Sequence, residues 1–338
     1  MSDPTPPRLP RLSPSVAAVR HGVRSVVSEA ARTGSSDRPA VIVVAFSGGA
    51  DSTALLRAAL FEAADLPLRV IAVSVDHGLQ AGSDAVAAAA AERALAWGAH
   101  EAIVERVSVG TEGGMEAAAR TARYEALDRV AAEHAAVAIL LGHTFDDQAE
   151  TVLLGLTRGS GPHSIRGMPA ADGLYRRPLL NVRRENTRAA CDAESAEFWD
   201  DPHNTNNDFT RVRIRNTVLP MLEAELGPGV ASALVRTARL VSDDDDALDN
   251  FAEAIVDDVA ASRDGHLAIP VATIADQPRA IRSRVIRLCA GRAFGASMSL
   301  VHTDAIDALV TDWRGQKPLN VPGGNVERHG GHLVFTPA

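Results

Sequence analysis

The sequence is poor in cysteine and aromatic residues, and each shortage excludes a class of chemistry. Its only two cysteines, Cys191 and Cys289, lie too far apart for a CxxC redox pair. They are also too few for a cysteine-rich zinc or iron–sulfur cluster, or for a secreted disulfide framework. We therefore expect a reducing, cytoplasmic compartment. Aromatic residues make up 4% of the chain, which argues against an aromatic-lined oligonucleotide groove. Any nucleic acid would be bound mainly through charge.

Lysine and long apolar runs are scarce as well. Lys317 is the only lysine among 34 basic residues, so a P-loop lysine or a lysine nucleophile is excluded from the sequence before it. No apolar run is long enough to span a membrane, so we expect no membrane association. Residues 1–14 are rich in proline and lack the apolar segment of a signal peptide, and we predict that they form a disordered tail. The oligomeric state cannot be derived from the sequence.

The remaining sequence predicts an α/β protein with two domains. Apolar strands are predicted at 41–46, 68–75, 101–107 and 136–142. Helices of ten to twenty residues alternate with them, which indicates βαβ crossovers and a doubly wound, mainly parallel sheet. We assign residues 15–225 to this α/β domain and 226–338 to a smaller, mostly helical C-terminal domain. In parallel sheets ligands bind beyond the carboxyl ends of the strands, here the loops at Ser47, Asp76, Val107 and His143.

The first of these loops has the sequence SGGADS, residues 47–52, between a predicted strand and a predicted helix. Backbone N–H groups at a helix N-terminus attract anions, and glycines let the backbone approach a phosphate closely. The loop is neither a Walker A motif nor a GxGxxG dinucleotide loop. A glycine turn capped by Asp51 or Ser52 explains the pattern equally well when it is taken alone.

A second cluster of polar residues lies in the sequence HTFDDQAE, residues 143–150. Spacings of three and four residues put Glu150 on one helical face with Asp146 and Asp147. Acidic residues favour helix N-termini, so capping explains any one of them. Three carboxylates beside His143 exceed what capping requires, and they can hold Mg²⁺ or a cationic ligand. We also expect Asp147→Asn to cost more activity than stability, because asparagine is a good cap.

SGGADS matches the signature SGGxDS of the PP-loop ATP pyrophosphatases, so the chain resembles that superfamily and its adenine nucleotide α hydrolase-like fold. The stretches HTFDDQAETVLLGLTRGSG, RRPLL, DDPHNTNNDFTRVRIRNTVLPML and GMEAAARTARYEAL narrow the resemblance to the tRNA(Ile)-lysidine synthetases. That family joins L-lysine to the wobble cytidine of isoleucine tRNA with a CAU anticodon, using ATP. The match runs from about Val41 to Leu222. Val212 and Gly114 depart from the family pattern.

The resemblance implies a role for each matching residue, with ATP and Mg²⁺ as cofactors and L-lysine and CAU-anticodon isoleucine tRNA as partners. The implied ATP-binding residues are Ser47, Gly48, Gly49, Ala50, Asp51, Ser52, Asp76, His77 and Arg120. The implied lysine-binding residues are Asp147, Glu150, Arg211, Arg213 and Arg215. The implied catalytic residues are Asp51, Asp147, Glu150 and Arg213, with Asp51 and Asp147 as Mg²⁺ ligands. Arg123 belongs to the same helix as Arg120.

Two arginine-rich segments, 176–188 and 279–292, are candidates for contact with tRNA phosphates. In the first we assign tRNA binding to Arg176, Arg177, Arg183 and Arg184. A solvated helical face explains the second segment equally well. The C-terminal domain is expected to contact tRNA.

Two alternative functions remain open at this point. One is another PP-loop tRNA-modifying enzyme such as a thiolase, although thiolases typically use more cysteines than this chain offers. The other is a non-catalytic nucleotide-binding module, which would not need Asp147, Glu150 and the arginines at 211–215 together.

Overall fold

The computed structural model describes residues 12–78, 82–110, 114–159, 161–201, 209–259, 261–263 and 266–338. Most of the predicted tail, residues 1–11, and residues 202–208 of the DDPHNTNNDFT motif lie outside the described residues. The chain divides into two compact units, residues 1–238 and 239–338. The sequence-based boundary at 225/226 stays a prediction.

The first unit is built on a six-stranded sheet with the order β3-β2-β1-β4-β6-β5. Its strands are β1 (Ala40–Ala45), β2 (Leu68–Asp76), β3 (Glu101–Arg106), β4 (Ala138–Leu140), β5 (Ala171–Asp172) and β6 (Tyr175–Arg176). All neighbouring pairs are parallel except β5 with β6. The predicted α/β class with a mainly parallel sheet is therefore confirmed.

Helices cover both faces of this sheet, as a doubly wound fold requires. They are α1 (Pro14–Ala31), α2 (Ala50–Ala63), α3 (Ser83–Ala96), α4 (Met115–Glu133), α5 (Phe145–Arg158), α6 (Pro162–Ile165) and α7 (Arg184–Ala193). Strand β1 has alternate side chains in two cores. Ile42 and Val44 pack with α1, α2, α3 and α7, whereas Val41 and Val43 pack with α4. This double burial is why β1 is a continuous run of β-branched and small apolar residues.

The strand order fixes where a ligand can bind. The chain moves from β1 outward to β2 and β3, then returns to place β4 on the other side of β1. The connections that follow β1 and β4 therefore lead toward opposite edges of the sheet, and α/β sheets open a crevice at such a topological switch point. The loop after β1 contains Ser47, and the loop after β4 contains His143. Gly142 permits this approach, because a Cβ there would lie 3.3 Å from the backbone of Asp51.

A run of helices follows α7: α8 (Thr210–Arg213), a π-helical segment Ile214–Val218, α9 (Leu219–Leu226) and α10 (Val230–Val259). Pro220 explains the π-helical turn. Its missing N–H and its ring prevent an ordinary bond to the carbonyl of Asn216, and the Leu219 N–H instead donates to Ile214. Among the described residues no single helix is long and apolar enough to cross a membrane; one bent pair, 210–226 with 230–259, meets that test by length and composition alone.

The second unit combines helices with a small antiparallel sheet of order β7-β8-β11-β10-β9. Its elements after α10 are β7 (Ala261–Arg263), β8 (His266–Pro270), α11 (Val271–Ala275), α12 (Arg279–Phe294), α13 (Leu300–Thr311), β9 (Leu319–Val321), β10 (Gly324–His329) and β11 (His332–Pro337). One apolar core, which includes Ile286 and Phe335, joins these helices to the sheet.

Candidate active site

The SGGADS loop forms the turn between β1 and α2. Gly48 has φ +80°, a conformation that favours glycine, and its carbonyl accepts the Trp199 N–H at 2.8 Å. The Ser47 and Ser52 hydroxyls lie 3.2 Å apart, and Ser52 also donates to the Gly49 carbonyl. Gly49, the N-cap of α2, has no side chain to cap the first turn, which begins at Ala50. The N–H groups of that turn are therefore available to an anion at the switch point.

The acidic cluster is built on the first turns of α5. Thr144 is the N-cap, and Asp147 Oδ2 accepts the Thr144 N–H and hydroxyl, both at 2.8 Å, in a capping box. Asp146 instead caps another helix: its Oδ2 accepts the N–H of Arg184, the first residue of α7, at 2.7 Å. Two of the predicted carboxylates thus have structural duties as well. Glu150 belongs to neither of these caps, and its side chain is 1% exposed.

Arg184 lies at the centre of the cluster and contacts carboxylates from two elements. Its Nη2 lies 2.6 Å from Asp147 Oδ1 and its Nη1 3.3 Å from Glu150 Oε1, both on α5. Its Nε lies 3.3 Å from Asp51 Oδ2 on α2. The Thr187 hydroxyl, one turn further along α7, donates to the other oxygen of Asp51. Side chains separated by more than 130 positions in sequence therefore meet at one guanidinium group.

Arg215, in the π-helical segment, supplies a second guanidinium group. It binds Glu150 through Nε at 2.7 Å and Nη2 at 3.1 Å, and its Nη2 lies 3.3 Å from Asp147. Arg211 is one turn earlier and contacts the Thr151 hydroxyl at 3.5 Å. Arg213 lies on the opposite side of the helix, is exposed, and contacts the Thr210 hydroxyl. Of the three predicted lysine-binding arginines, Arg215 contacts both Asp147 and Glu150.

The carboxylates differ in their electrostatic environments. Burial raises the pKa of Asp51, against the opposing effects of Thr187 and Arg184. The pKa of Asp147 is lowered overall, because Arg184 and the Thr144 N–H outweigh its burial. Asp147 is therefore held ionised, while Asp51 is the better proton acceptor of the two.

The loops after β2 and β4 contribute two histidines. Asp76 accepts the Gly78 N–H at 2.9 Å, and hydrogen bonding from Ser83 lowers the pKa of its carboxyl. Burial lowers the pKa of His77, and it lowers the pKa of His143 to about 3. Both rings are therefore neutral at pH 7. The Nδ1 atom of each is buried without a hydrogen-bond partner in the described part of the chain.

Arg120 of α4 and Arg177 of the loop after β6 line a cavity of about 330 Å³ on the first unit, together with Glu125, Asp128 and Asp172. Arg120 contacts the Tyr124 hydroxyl at 3.1 Å, and burial lowers the pKa of Arg123. Arg177 is 5% exposed, and its Nη1 donates to the Pro169 carbonyl. The cavity lining is therefore mixed in charge, with three carboxylates and two guanidinium groups. At the start of α4, Gly114 has φ +91° and provides no side-chain cap, in keeping with its departure from the family pattern.

The predicted tRNA-binding arginines have intramolecular contacts. Arg176 donates to the Gly173 carbonyl, and Arg183 donates to Ser232 and lies over the Phe145 ring. Arg184 points into the acidic cluster and Arg177 is buried, so neither offers an exposed guanidinium group in this conformation. Their assignment to tRNA stays a prediction. Sequence reasoning did not anticipate the bonds of Arg184 and Thr187 to Asp51; their spacing of three residues on one helical face was the available signal.

The arginines of α12 are also engaged within the second unit. Arg284 is buried and pairs with Asp245 and Asp249, and Arg282 pairs with Asp307. Arg279 and Arg292 form ion pairs with Asp304 and Asp257. The segment 279–292 therefore contributes much of its charge to the internal stability of the unit.

The predicted Mg²⁺ ligands can be tested against this geometry. Within the described ranges no group of three or more His, Cys, Asp or Glu side chains is arranged to hold a metal ion. Mg²⁺, however, is commonly bound by one or two carboxylates together with substrate phosphates and water. Asp51 and Asp147 face the same guanidinium group beside the anion-binding loop, and their carboxylate oxygens are the ligand type that Mg²⁺ prefers.

The sequence matches two protein-family models and many known proteins. A family model described as a PP-loop domain matches residues 19–222, and one described as the TilS substrate binding domain matches residues 269–334. The tRNA(Ile)-lysidine synthase of Leifsonia xyli subsp. xyli is 52% identical, with 88% of this chain and 90% of that protein covered. That of Thermobifida fusca is 46% identical, with 99% of each covered.

A solved structure shares the fold at much lower identity. The U34-tRNA thiolase NcsA from Methanococcus maripaludis, with its [4Fe-4S] cluster, has a TM-score of 0.54 and 17% identity. The similarity covers 68% of this chain and 80% of the thiolase and concerns the fold alone. Identity near 50% over most of the chain, with both domain models in order, is decisive by contrast: the chain belongs to the tRNA(Ile)-lysidine synthase family.

Proposed function

We propose that this chain joins L-lysine to the wobble cytidine of isoleucine tRNA with a CAU anticodon, at the expense of ATP. The observation that carries the proposal is the meeting of two sites at Arg184. Asp51 belongs to the anion-binding loop, and Asp147 and Glu150 belong to the acidic cluster. A two-step reaction that first uses a nucleotide and then an amine needs both sites next to each other.

In the first step the C2 oxygen of cytidine attacks the α-phosphate of ATP, and pyrophosphate leaves. The free N–H groups at the start of α2 and the hydroxyls of Ser47 and Ser52 suit the pyrophosphate, since they donate to an anion without a lysine. Asp51 and Asp147 would hold Mg²⁺, which when bound neutralises charge on the leaving group. Asp76 and His77, at the end of β2, are proposed to contact the adenosine portion.

In the second step the ε-amine of lysine attacks C2, and AMP leaves with the C2 oxygen. Asp51, Asp147 and Glu150 face Arg184 and Arg215, so three carboxylates meet two guanidinium groups and the formal charge of the cluster is negative. An excess of negative charge attracts the ammonium group of lysine. The amine must lose a proton before it attacks, and a carboxylate of the cluster is proposed to accept it.

The tRNA would be bound through charge. Arg120 and Arg177 line a cavity that the carboxylates of Glu125, Asp128 and Asp172 line as well, and Arg123 lies on the same helix as Arg120. Arg176 and Arg183 belong to the adjoining segment, and the C-terminal unit, which matches the substrate binding domain model, is proposed to make a further contact. The chain is proposed to act in the cytoplasm.

A sulfur-transfer function, the main alternative from the sequence, is disfavoured by the cysteines. Cys191 and Cys289 are buried and belong to different units. Burial raises the pKa of both thiols to about 12, so neither supplies a thiolate at neutral pH.

The direct test is incorporation of radioactive lysine into purified tRNA. The full chain is incubated with ATP, Mg²⁺, labelled L-lysine and CAU-anticodon isoleucine tRNA, with methionine tRNA, which has the same anticodon, as the control. We expect label in the isoleucine tRNA and equal amounts of AMP and pyrophosphate. A chain that binds ATP and tRNA but forms no AMP would be a non-catalytic module, and the proposal would be wrong.

A further inference from the structure

Arg184 differs from the other arginine of the cluster in the contacts it makes. The contacts of Arg215 with carboxylates lie on α5, at Glu150 and Asp147. Arg184 contacts the same two residues and also reaches Asp51 at the start of α2. Its guanidinium group therefore joins the nucleotide loop to the acidic cluster.

Both the backbone and the side chain of Arg184 are fixed by contacts. Asp146 accepts the Arg184 N–H at 2.7 Å, and the Thr187 hydroxyl lies 2.7 Å from the Arg184 carbonyl oxygen. The side chain is 20% exposed, and its three nitrogen atoms face three different carboxylates. The attraction of these carboxylates raises the pKa of Arg184, so the charge is permanent. A planar group with fixed donors sets the distances between its acceptors, which a flexible ammonium group does not do.

The carboxylates also depend on this cation. Asp51 Oδ2 lies 3.3 Å and Asp147 Oδ1 2.6 Å from nitrogen atoms of the same guanidinium group, so the two carboxylates are neighbours. Without a cation between them, like charges in a partly buried site would repel one another and the two elements would separate. A shift of about 1 Å at a reacting group costs on the order of 100-fold in rate.

We infer that Arg184 is a positioning residue that couples the two halves of the reaction, fixing Asp51 of the nucleotide loop against Asp147 and Glu150 of the acidic cluster. The inference rests on the proposed function, and it replaces a tRNA contact as the main role of this side chain. Loss of Arg184 should therefore impair both adenylation and lysine transfer, whereas loss of Arg215 should impair mainly lysine transfer.

The test compares two partial reactions in Arg184→Ala, Arg184→Lys and Arg215→Ala. ATP–pyrophosphate exchange in the presence of tRNA reports adenylation, and labelled lysine reports the complete reaction. Arg24→Ala is the matched control, because Arg24 forms a two-contact pair with Glu62 on the surface of the same unit and is 60% exposed. Melting temperatures show which variants fold.

For Arg184→Ala we expect both activities to fall by about 100-fold in kcat. The KM for lysine should change less, and added guanidinium ion should restore part of kcat. Arg184→Lys should melt near the wild type and still lose most of kcat, because one ammonium group cannot hold three carboxylates in a plane. For Arg215→Ala the loss of lysine incorporation should exceed the loss of exchange, and Arg24→Ala should match the wild type.

Three results would overturn the inference. Full kcat in Arg184→Lys would mean that charge alone matters. A lower KM for lysine with unchanged kcat in Arg184→Ala would mean that Arg184 only competes with the substrate. Loss of lysine incorporation with intact ATP–pyrophosphate exchange in Arg184→Ala would mean that Arg184 acts only in lysine transfer.

Failure of the proposed function has a different signature, since the wild-type chain would then incorporate no lysine. In that case ATP binding without tRNA decides the inference. Removal of the cation beside Asp51 should weaken ATP binding about tenfold in Arg184→Ala, as expected for one charge at a distance of several ångströms. Unchanged ATP binding in Arg184→Ala would overturn the inference about Arg184.

Discussion

The stability of the Asp147→Asn variant tests two views of this residue. The sequence alone predicts a helix cap, whereas the structure shows a cap that also binds two arginines. As a simple cap, Asp147 would tolerate asparagine. In the fold, Asp147 Oδ2 serves the capping box while Oδ1 accepts from Arg184 and Arg215 at 2.6 and 3.3 Å. Asparagine has one acceptor oxygen, so it can keep the cap or the arginines but not both. The side-chain NH₂ group of the asparagine would then face either the guanidinium groups or the Thr144 donors, with which it cannot form a hydrogen bond.

The stability cost follows from these contacts. Loss of one partner of a buried ion pair costs about 3–5 kcal/mol. Arg184 and Arg215 keep Glu150 as a partner and are 20% and 27% exposed, so we expect a smaller loss of about 2 kcal/mol. For a unit of this size that lowers the melting temperature by about 4–8 °C. Lysine incorporation should fall by about 100-fold or more, because the acidic cluster loses a fixed charge.

The assay is thermal unfolding followed by circular dichroism, alongside lysine incorporation. Asp146→Asn is the matched control, because the cap that Asp146 provides to α7 needs one acceptor oxygen, which asparagine retains. Its melting temperature should stay within about 2 °C of the wild type. If Asp147→Asn melts like Asp146→Asn while its activity is lost, the ion pairs contribute no stability and the reasoning from the contacts is refuted.

Three further predictions concern other parts of the chain. Gly48→Ala should lower stability by about 1–2 kcal/mol because φ is +80°, whereas Gly49→Ala, at φ −76°, should cost less; equal urea midpoints would contradict this. The pKa of His143 is about 3 in the folded chain against 6.5 for an ordinary histidine, so unfolding takes up a proton between these values. Its contribution to stability is complete above pH 6.5 and is lost as the pH falls toward 3; His143→Asn should flatten that dependence in urea titrations from pH 7 to 4, and an unchanged slope would refute it. Arg284→Ala leaves buried Asp245 without this partner and should cost the second unit about 3 kcal/mol, measured by urea unfolding; a loss below about 1 kcal/mol would show that the pair is dispensable.

Much of the first unit could be predicted from the sequence because its signals are local. The strand at 40–45 differs from the predicted 41–46 by one residue at each end. Burial on both faces imposes an apolar run on a strand, and α-helical packing imposes a period of 3.6, so neighbouring residues suffice to reveal each element. The turn at SGGADS was equally local, since two glycines between a strand and a helix define it.

The partners of the charged side chains were decided by the tertiary structure alone. The chain has 43 acidic and 34 basic residues, and sequence spacing cannot say which of them meet. Arg184 looked like one more arginine of a basic segment, yet α7 carries it to Asp51 and the start of α5. Arg213 and Arg215 are two positions apart, yet Arg215 binds Glu150 while Arg213 lies on the opposite side of the helix and contacts Thr210. Ion pairing depends on distance through space, which for Arg184 and Asp51 is 3.3 Å across 133 residues of chain.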